Sequence, residues 1–383
     1  MVLAFRKGVD ENWRWKRRMK RAPLNSYASL GAAFSRETDD LAVGVCRLDA
    51  RLAASGLADG WQNRCDINEA FMAIQSEGFL VDLTDLVLHD GNLNKRAPTN
   101  ELVRASSILR AYRVARQRPA PWPLTKRGLA SLAGGLSSKE FAEETPPPAT
   151  TERKRKDEDF DAFSDQFAEI DALIERTGRV LRGEVAASRN RTLLAGTPDE
   201  KQFEAEDRWF SVLSDLERLP AVQAAAFGWQ AWRELGVHDG QPWLGLIIAS
   251  SILRSRGLTE SILPLAAAYR KAGYRGRQMI SKEMAVGTFC ELLTEALRLA
   301  NSDLSTLSLH RDLMAPKLAG RRKGSKLNDL VDLFLSRPIV TMPLAREHLK
   351  VTPHAVKCMF DELGPSLPRE LTQRSRYRAW GII

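Results

Sequence analysis

Apolar residues recur at three- and four-residue intervals along most of the chain, which is the spacing of one helical face. Alternation of apolar and polar residues, the sign of a half-buried strand, is almost absent before residue 365. The pattern therefore predicts a mostly α fold with a small β-hairpin near the C-terminus. We expect segment 243–257, which is apolar on nearly every side, to be the central core helix.

Capping residues and prolines divide this pattern into separate helices. Thr99 has the side chain of a helix N-cap, and the loop before it is expected at 89–92. The prolines at 119, 121 and 123 mark the end of the first helical block. The predicted helices before the C-terminal region are 39–55, 67–78, one that begins after Thr99, 200–219, 221–235, 243–257 and 281–300.

A proline-rich, charged stretch separates two helical blocks. Pro146, Pro147 and Pro148 forbid regular structure, so 137–158 is predicted to be an exposed linker. The predicted organisation is a basic N-terminal arm (1–39), an N-terminal helical domain (40–136), the linker (137–158), a helical core (159–320) and a C-terminal module (321–383).

An apolar seam follows the linker and indicates a packed helix. Its members are spaced three and four residues apart, which places them on one stripe. The stripe can pack within the chain, the more common use of a short seam, or form a coiled coil with a second subunit. We expect a homodimer, because operators are frequently two-fold symmetric. The seam residues are Phe160, Phe163, Phe167, Ile170 and Ile174.

The C-terminal module has the pattern of a helix-turn-helix. Three helices are predicted, at 325–336, 343–349 and 353–363. Thr352 suits an N-cap, Pro353 suits the first helical position, and Gly364 stands where a glycine would end the last helix.

The last of these helices has the amphipathic pattern of a recognition helix. Val356, Met359, Phe360 and Leu363 would form its buried face, which turns His354, Lys357 and Asp361 outward. Its N-terminal residues would reach base edges, while the preceding helix crosses the phosphate backbone. A non-glycine residue in the turn, Lys350, is expected to accept positive φ. The predicted DNA-binding residues of the two helices and their turn are Thr352, His354, Lys357, Arg346 and Lys350.

A basic hairpin, or wing, is predicted after Gly364. Strand-like segments at 369–372 and 377–382 are joined by a short polar stretch. Arginines on such a hairpin contact phosphates or enter the minor groove. Arg374, Arg376 and Arg378 are the candidates.

The distribution of charge supports a polyanionic partner. The chain carries a net charge of +9, yet residues 1–24 and 321–383 each carry +6. The residues between them total −3, so the positive charge lies at the two ends. Double-stranded DNA is the expected partner, although the N-terminal arm has the alternative of being a solvated tail.

Other classes of function lack their signatures. Four cysteines without metal-ligand spacing favour a reducing, cytoplasmic setting, and no apolar segment suggests a signal peptide or a membrane span. His348, His354 and Cys358 do not form a complete ligand set, so no metal is predicted. No Walker loop, dinucleotide fingerprint or nucleophile elbow is present, and no cofactor is expected.

Segments 334–364 and 367–382 resemble the winged-helix tails of Fic (filamentation-induced-by-cyclic-AMP) proteins. Segment 73–88 resembles the regulatory helix of that family, in which a small hydroxyl residue precedes a Glu-Gly pair. Glu77 and Gly78 match the pair, whereas Ala73 occupies the hydroxyl position.

The resemblance extends to segment 234–253, where the Fic motif would place a catalytic His, an acidic metal ligand and phosphate-binding glycines and arginines. Asp239 and Gly240 match, and Gln241 replaces Asn. His238 would serve as the base only with a shifted alignment, and even then no arginine would be supplied. The resemblance therefore implies a Fic-like scaffold with a degenerate motif and no enzymatic activity. The remaining departures are Leu235 at the base, Pro242 at a glycine, and Trp243 and Leu246 at the arginines.

The chain also resembles a bacterial group of uncharacterised, often plasmid-borne proteins with the same C-terminal domain. From these observations we expect a sequence-specific DNA-binding protein, a transcriptional regulator, whose helical body serves oligomerisation or binds a protein partner. Two alternatives stay open: an interaction module whose winged helix binds no DNA, and an AMP-transferring enzyme of Fic type.

Overall fold

The fold is given by a computed structural model, which describes residues 35–93, 97–134, 198–238, 240–273, 282–320, 322, 325–372 and 378–382. Most of the basic arm, the linker and the seam lie outside the described residues, so the predictions made for them stay predictions. Arg374, Arg376 and Asp239 lie outside them as well.

The described residues form a mostly α fold with a small sheet in the C-terminal module. The helices of the body are α1 (Ser35–Ser55), α2 (Ala58–Ser76), α3 (Leu83–Asp90), α4 (Asn100–Gln117), α5 (Lys126–Leu132), α6 (Pro198–Asp215), α7 (Ala221–Leu235), α8 (Pro242–Ser255), α9 (Leu265–Lys271) and α10 (Lys282–Leu318). The module contains α11 (Lys326–Ser336), β1 (Val340–Thr341), α12 (Met342–Leu349), α13 (Pro353–Leu363), β2 (Arg369–Glu370) and β3 (Ala379–Gly381).

The predicted helices are present, with differences at their ends. Thr99 caps α4 as expected, since its hydroxyl accepts a hydrogen bond from the Leu102 amide. The expected loop at 89–92 is shorter, because His89 and Asp90 form the last turn of α3. The Asp82 carboxylate caps this short helix by accepting from the Thr84 amide at 2.7 Å. The last body helix continues to Leu318, well beyond residue 300.

The core of the body is built around α8, as its apolar pattern predicts. Every residue from Trp243 to Arg254 is buried, and α7 packs along the helix. α2 packs against α4 and α9, and α1 packs against α10. Helices from segments 40–136 and 159–320 thus contribute to one hydrophobic core, while the boundaries between the predicted domains stay a prediction.

The sheet of the C-terminal module has three antiparallel strands in the order β1-β3-β2. Val340 pairs with Trp380 and Arg369 with Gly381, so the predicted hairpin strands do pair. β1 was not predicted, because two residues are too few to show an alternating pattern. Gly381 has a packing role, since a Cβ atom there would lie 2.4 Å from the Pro338 carbonyl oxygen.

Side chains of the body fasten the C-terminal module in place. Arg64 on α2 donates to the carbonyl oxygens of Arg337 at 2.5 Å and Ile382 at 2.6 Å. Burial lowers the pKa of this guanidinium to about 10, although Asp303 opposes the shift. The module is therefore held by a partly buried arginine that donates hydrogen bonds to its backbone.

An ion-pair chain makes a second connection between body and module. The Asp90 carboxylate lies between Arg113 of α4 and Arg337, which follows α11, and it pairs with both. Burial alone would raise the pKa of Asp90, but hydrogen bonds and charge from the two arginines lower it. These ion pairs connect α4 to the C-terminal module through Asp90.

Candidate nucleic-acid interface and a cavity in the body

Helix α13 has the boundaries that its sequence predicts. The Thr352 hydroxyl accepts a hydrogen bond from the Ala355 amide at 3.2 Å, and Pro353 occupies the first helical position. Gly364 follows the last residue with φ of 51°, a region that glycine enters without strain. Local capping therefore fixes both ends of the helix.

The buried face of α13 fastens it to the rest of the module. Val356, Met359, Phe360 and Leu363 are all buried, as predicted. The ring of Phe360 lies 5.6 Å from that of Phe334 on α11 and meets the Trp380 ring edge-on at 4.8 Å. Because this face is held by α11 and β3, the opposite face keeps a fixed orientation.

The exposed face of α13 carries the residues predicted to meet DNA. Thr352, His354, Lys357 and Asp361 are all exposed. The polar and cationic groups lie toward the N-terminal end, whereas Asp361 lies in the last turn. Contact with a polyanion is therefore favoured at the N-terminal half of the helix.

The turn before α13 has the conformation expected from its sequence. Lys350 adopts φ of 53° and ψ of 49°, the left-handed region that its non-glycine side chain enters at some cost. Arg346 and Lys350 are both exposed. The Nη2 atom of Arg346 lies 4.0 Å from Glu347 Oε2. The structure thus presents two further cations beside α13.

Arg378, one of the predicted wing cations, lies immediately before β3. Its guanidinium pairs with Glu370 and lies over the Trp380 ring, 5.0 Å from the centroid. These contacts stabilise the hairpin, so any contact of Arg378 with phosphate competes with Glu370. Arg374 and Arg376 lie outside the described residues.

The His354 and Cys358 side chains meet on the exposed side of α13. The Nε2 atom of His354 lies 3.5 Å from the Cys358 Sγ atom. Within the described ranges, no group of three or more His, Cys, Asp or Glu residues is arranged to hold a metal ion. His354 and Cys358 are 4 residues apart, so the contact joins two neighbouring turns of the same helix.

The body contains a cavity of about 850 Å³ that is lined by residues of both segment 73–88 and segment 234–253. Arg104 on α4 connects them: its Nε atom donates to Glu77 Oε2 and its Nη2 atom to the Gly240 carbonyl oxygen, both at 2.7 Å. Gln241 donates to the Ala133 carbonyl oxygen at 3.1 Å. Glu77 ends α2, and Gly78 follows it with φ of 90°.

His238 lies at the wall of this cavity in a strained conformation, with φ of 50°. Its Nε2 atom is 3.1 Å from Glu206 Oε1, and its ring stacks on Trp232 with 5.9 Å between centroids. Burial lowers the pKa of His238, while the charge of Glu206 and a hydrogen bond to it oppose the shift. The imidazole is therefore held between an acid and an aromatic ring.

Arginines from outside segment 234–253 reach the cavity, which sequence reasoning missed. Arg104, Arg233 and Arg270 come from α4, α7 and α9 and line the same wall as His238. Segment 234–253, where the motif would place its arginines, contains no arginine, and Arg254 lies just beyond its end. No sequence pattern connects these three positions, because only the packing of separate helices brings them together.

Two known families match separate ranges of the chain. The family described as "HTH DNA binding domain" matches residues 327–383, and the family described as "Protein of unknown function (DUF1612)" matches residues 198–319. An uncharacterized protein of Sinorhizobium fredii, y4cF, is 32% identical over 375 residues, covering 92% of this chain and 97% of that protein. The chain belongs to the family of y4cF.

The matched ranges follow the helices of this y4cF-family chain closely. The HTH DNA binding domain runs from α11 to the end of the sheet, so the C-terminal module is a DNA-binding domain by family as well as by form. The DUF1612 range begins at α6 and ends with α10. Among the described helices, none has the length and apolar character needed to cross a bilayer.

Proposed function

We propose that the protein is a sequence-specific binder of double-stranded DNA that regulates transcription in the cytoplasm. The observation that carries the proposal is the position of α13. Its apolar face is buried against α11 and β3, while Thr352, His354 and Lys357 project outward from its N-terminal half. A helix held in this way presents side chains to the major groove.

The surrounding cations supply contacts of a different kind. Arg346 and Lys350 flank α13 and would neutralise phosphates, which gives affinity without sequence preference. Arg374, Arg376 and Arg378 of the wing would add phosphate or minor-groove contacts. In this arrangement Lys357 reads a guanine edge and the other cations position the module.

We further propose that two copies bind DNA together. Leu309 is 58% and Leu313 is 50% exposed, and they lie one turn apart on α10. Two adjacent exposed leucines are an apolar surface suited to a partner. A second copy of the chain would match the two-fold symmetry of an operator, with a different protein as the alternative partner.

The body is proposed to be a Fic-like scaffold that does not transfer AMP. The two positions that the Fic motif would give to arginines carry Trp243 and Leu246, and both side chains are buried. Pro242 replaces a glycine and offers no backbone N–H to a phosphate. The body then serves assembly and the binding of partners.

Selection from genomic DNA tests the central proposal. Fragments retained by the purified full chain are sequenced. Lys357→Ala is compared with Lys201→Ala, which removes the same charge from an exposed position of α6. We expect the wild type and Lys201→Ala to enrich one shared motif, which Lys357→Ala loses. Retention without any enriched motif, or no retention at all, would favour an interaction module whose winged helix binds protein.

A further inference from the structure

The cavity of the body has the size and lining of a small-molecule site. Its volume of about 850 Å³ lies within the range of pockets that enclose a drug-sized ligand. Aromatic side chains supply the walls, and Phe79 and Leu80 stand at its edge although both are exposed. Flat apolar molecules fit such walls. The aromatic members are Phe79, Trp229, Trp232, Trp243 and Tyr269.

Two polar groups in this cavity lack hydrogen-bond partners within the described part of the chain. Oε1 of Glu77 is buried without a partner, and its side chain is only 6% exposed. The Nε atom of Arg270 is likewise buried without one. A buried polar group without a partner destabilises the protein, so a ligand that satisfies both groups is favoured in this cavity.

The two groups specify complementary features of a ligand. Arg270 donates and carries positive charge, so it calls for a carboxylate. Glu77 Oε1 accepts, so it calls for a hydroxyl or amino group. Arg104 already occupies the second carboxylate oxygen of Glu77, which leaves Oε1 as the free acceptor.

We propose that this cavity binds a small aromatic carboxylic acid that also carries a hydroxyl or amino group. The ring lies among the tryptophans, the carboxylate meets Arg270, and the donor meets Glu77. This site lies in the body and is separate from the DNA-binding surface of α13.

The helices that line the cavity also hold the DNA-binding module, which gives the ligand a route to it. α2 carries Arg64, whose guanidinium binds the module backbone, and it ends beside Glu77. α4 carries Arg104 at the cavity and Arg113, which pairs with Asp90 and through it with Arg337. The acid is therefore an effector of DNA binding, a step that rests on the proposed function.

Isothermal titration calorimetry on the full chain tests the site without DNA. The probes are para-hydroxybenzoate, para-hydroxyphenylacetate, indole-carboxylate and indole-acetate, each compared with its neutral carboxamide. We expect at least one acid to bind about tenfold more tightly than its amide, the effect of one charge-assisted hydrogen bond. If no acid exceeds its amide, or if Mg-ATP displaces the acids, the assignment is overturned.

Two variants assign the contacts. Arg270→Met should remove the preference for acid over amide, whereas Arg47→Met, on the exposed side of α1, should keep it. Glu77→Leu should remove the preference for para-hydroxybenzoate over para-methoxybenzoate. Preferences that persist in both folded variants contradict the proposed contacts. If either variant fails to fold, the comparison of acids and amides on the wild type still decides.

Fluorescence anisotropy with the selected DNA separates the two proposals. A bound acid should change DNA affinity about fivefold or more in the wild type and leave it unchanged in Arg270→Met. An acid that binds by calorimetry without any change in DNA affinity overturns the effector role. Absence of DNA binding with intact acid binding instead overturns the proposed function and leaves the site supported.

Discussion

The Nη2 atom of Arg64 donates a hydrogen bond to the carbonyl oxygen of Ile382 at 2.6 Å. This contact joins the second helix of the body to the residue that follows the last strand of the DNA-binding module. The same side chain reaches Phe334 and Arg337, so one arginine satisfies three carbonyl groups of the module. Body and module are therefore coupled mechanically.

Replacing Arg64 with Met should detach the module from the body. Three carbonyl groups lose their partner, which we expect to lower the free energy of unfolding by about 3 kcal/mol. Urea denaturation, monitored by tryptophan fluorescence, measures this loss. The control is Arg47→Met, which changes an exposed arginine of α1. Equal stability of the two variants would show that the arginine does not hold the module.

Changing Lys357 to Ala should reduce specificity more than general affinity. Loss of a guanine contact should cost about 1–3 kcal/mol on the preferred site and much less on random DNA. Arg374→Ala and Arg376→Ala should weaken both DNAs about equally and reduce the salt slope by roughly one unit for each lost phosphate contact. Fluorescence anisotropy across a salt series measures both quantities. Unchanged affinities in all three folded variants would remove α13 and the wing from the DNA interface.

The free energy of unfolding should decrease as the pH rises from 4.5 to about 8, because of Glu69. Burial raises the pKa of this carboxyl from 4.5 to about 8, despite hydrogen bonds from the amides of Ala266 and Ala267 that oppose the shift. Between pH 4.5 and about 8 the unfolded chain has released the proton of Glu69, whereas the folded chain retains it. The contribution of Glu69 to stability is therefore fully present below pH 4.5 and is lost as the pH rises toward 8.

Glu69→Gln should flatten this dependence, by an amount on the order of a few kcal/mol between pH 4.5 and 8. Urea denaturation at several pH values measures it, and Glu217→Gln, whose side chain is exposed, is the control. Asp66, whose pKa burial also raises, stays in both variants. Parallel pH profiles for wild type and Glu69→Gln would contradict the assignment.

Incubation with labelled ATP and Mg²⁺ should transfer no AMP to the protein or to a cell extract. In the proposed Fic-like arrangement, Trp243 and Leu246 would take the positions of the phosphate-binding arginines, and the arginines that line the cavity come from other helices. Autoradiography of separated proteins checks this expectation. Robust labelling that is lost in His238→Ala would establish catalysis and contradict the proposal of a degenerate body.

Sedimentation velocity should show a dimer with and without DNA. Replacing Leu309 and Leu313 with Asp should shift it to a monomer, because charge would then occupy the apolar surface. The control is Phe203→Asp, which changes an exposed apolar residue on a different helix, α6. A strict monomer under all conditions would exclude assembly through this surface and through the seam at 160–174.

Local interactions allowed the sequence alone to determine much of the DNA-binding module. The cap at Thr352, the glycine at 364 and the spacing from Val356 to Leu363 all act within a few residues, and the structure confirms each of them. Segment 243–257 is apolar on nearly every side, which likewise identifies α8 as the central helix. These features could be predicted because helix periodicity and capping depend on residues that are close together in the sequence.

Only the tertiary structure decided which distant residues meet. Glu77, Arg104 and Arg270 form one cavity, and Arg64 reaches a backbone carbonyl near the other end of the chain. Any residue can accept a hydrogen bond through its backbone carbonyl, so the type of the accepting residue does not predict such a contact. The arginines of the cavity lie on separate helices, so no single segment predicts that they meet. Their meeting depends on how α2, α4, α7 and α9 pack, since burying apolar surface fixes helix positions that no local pattern specifies.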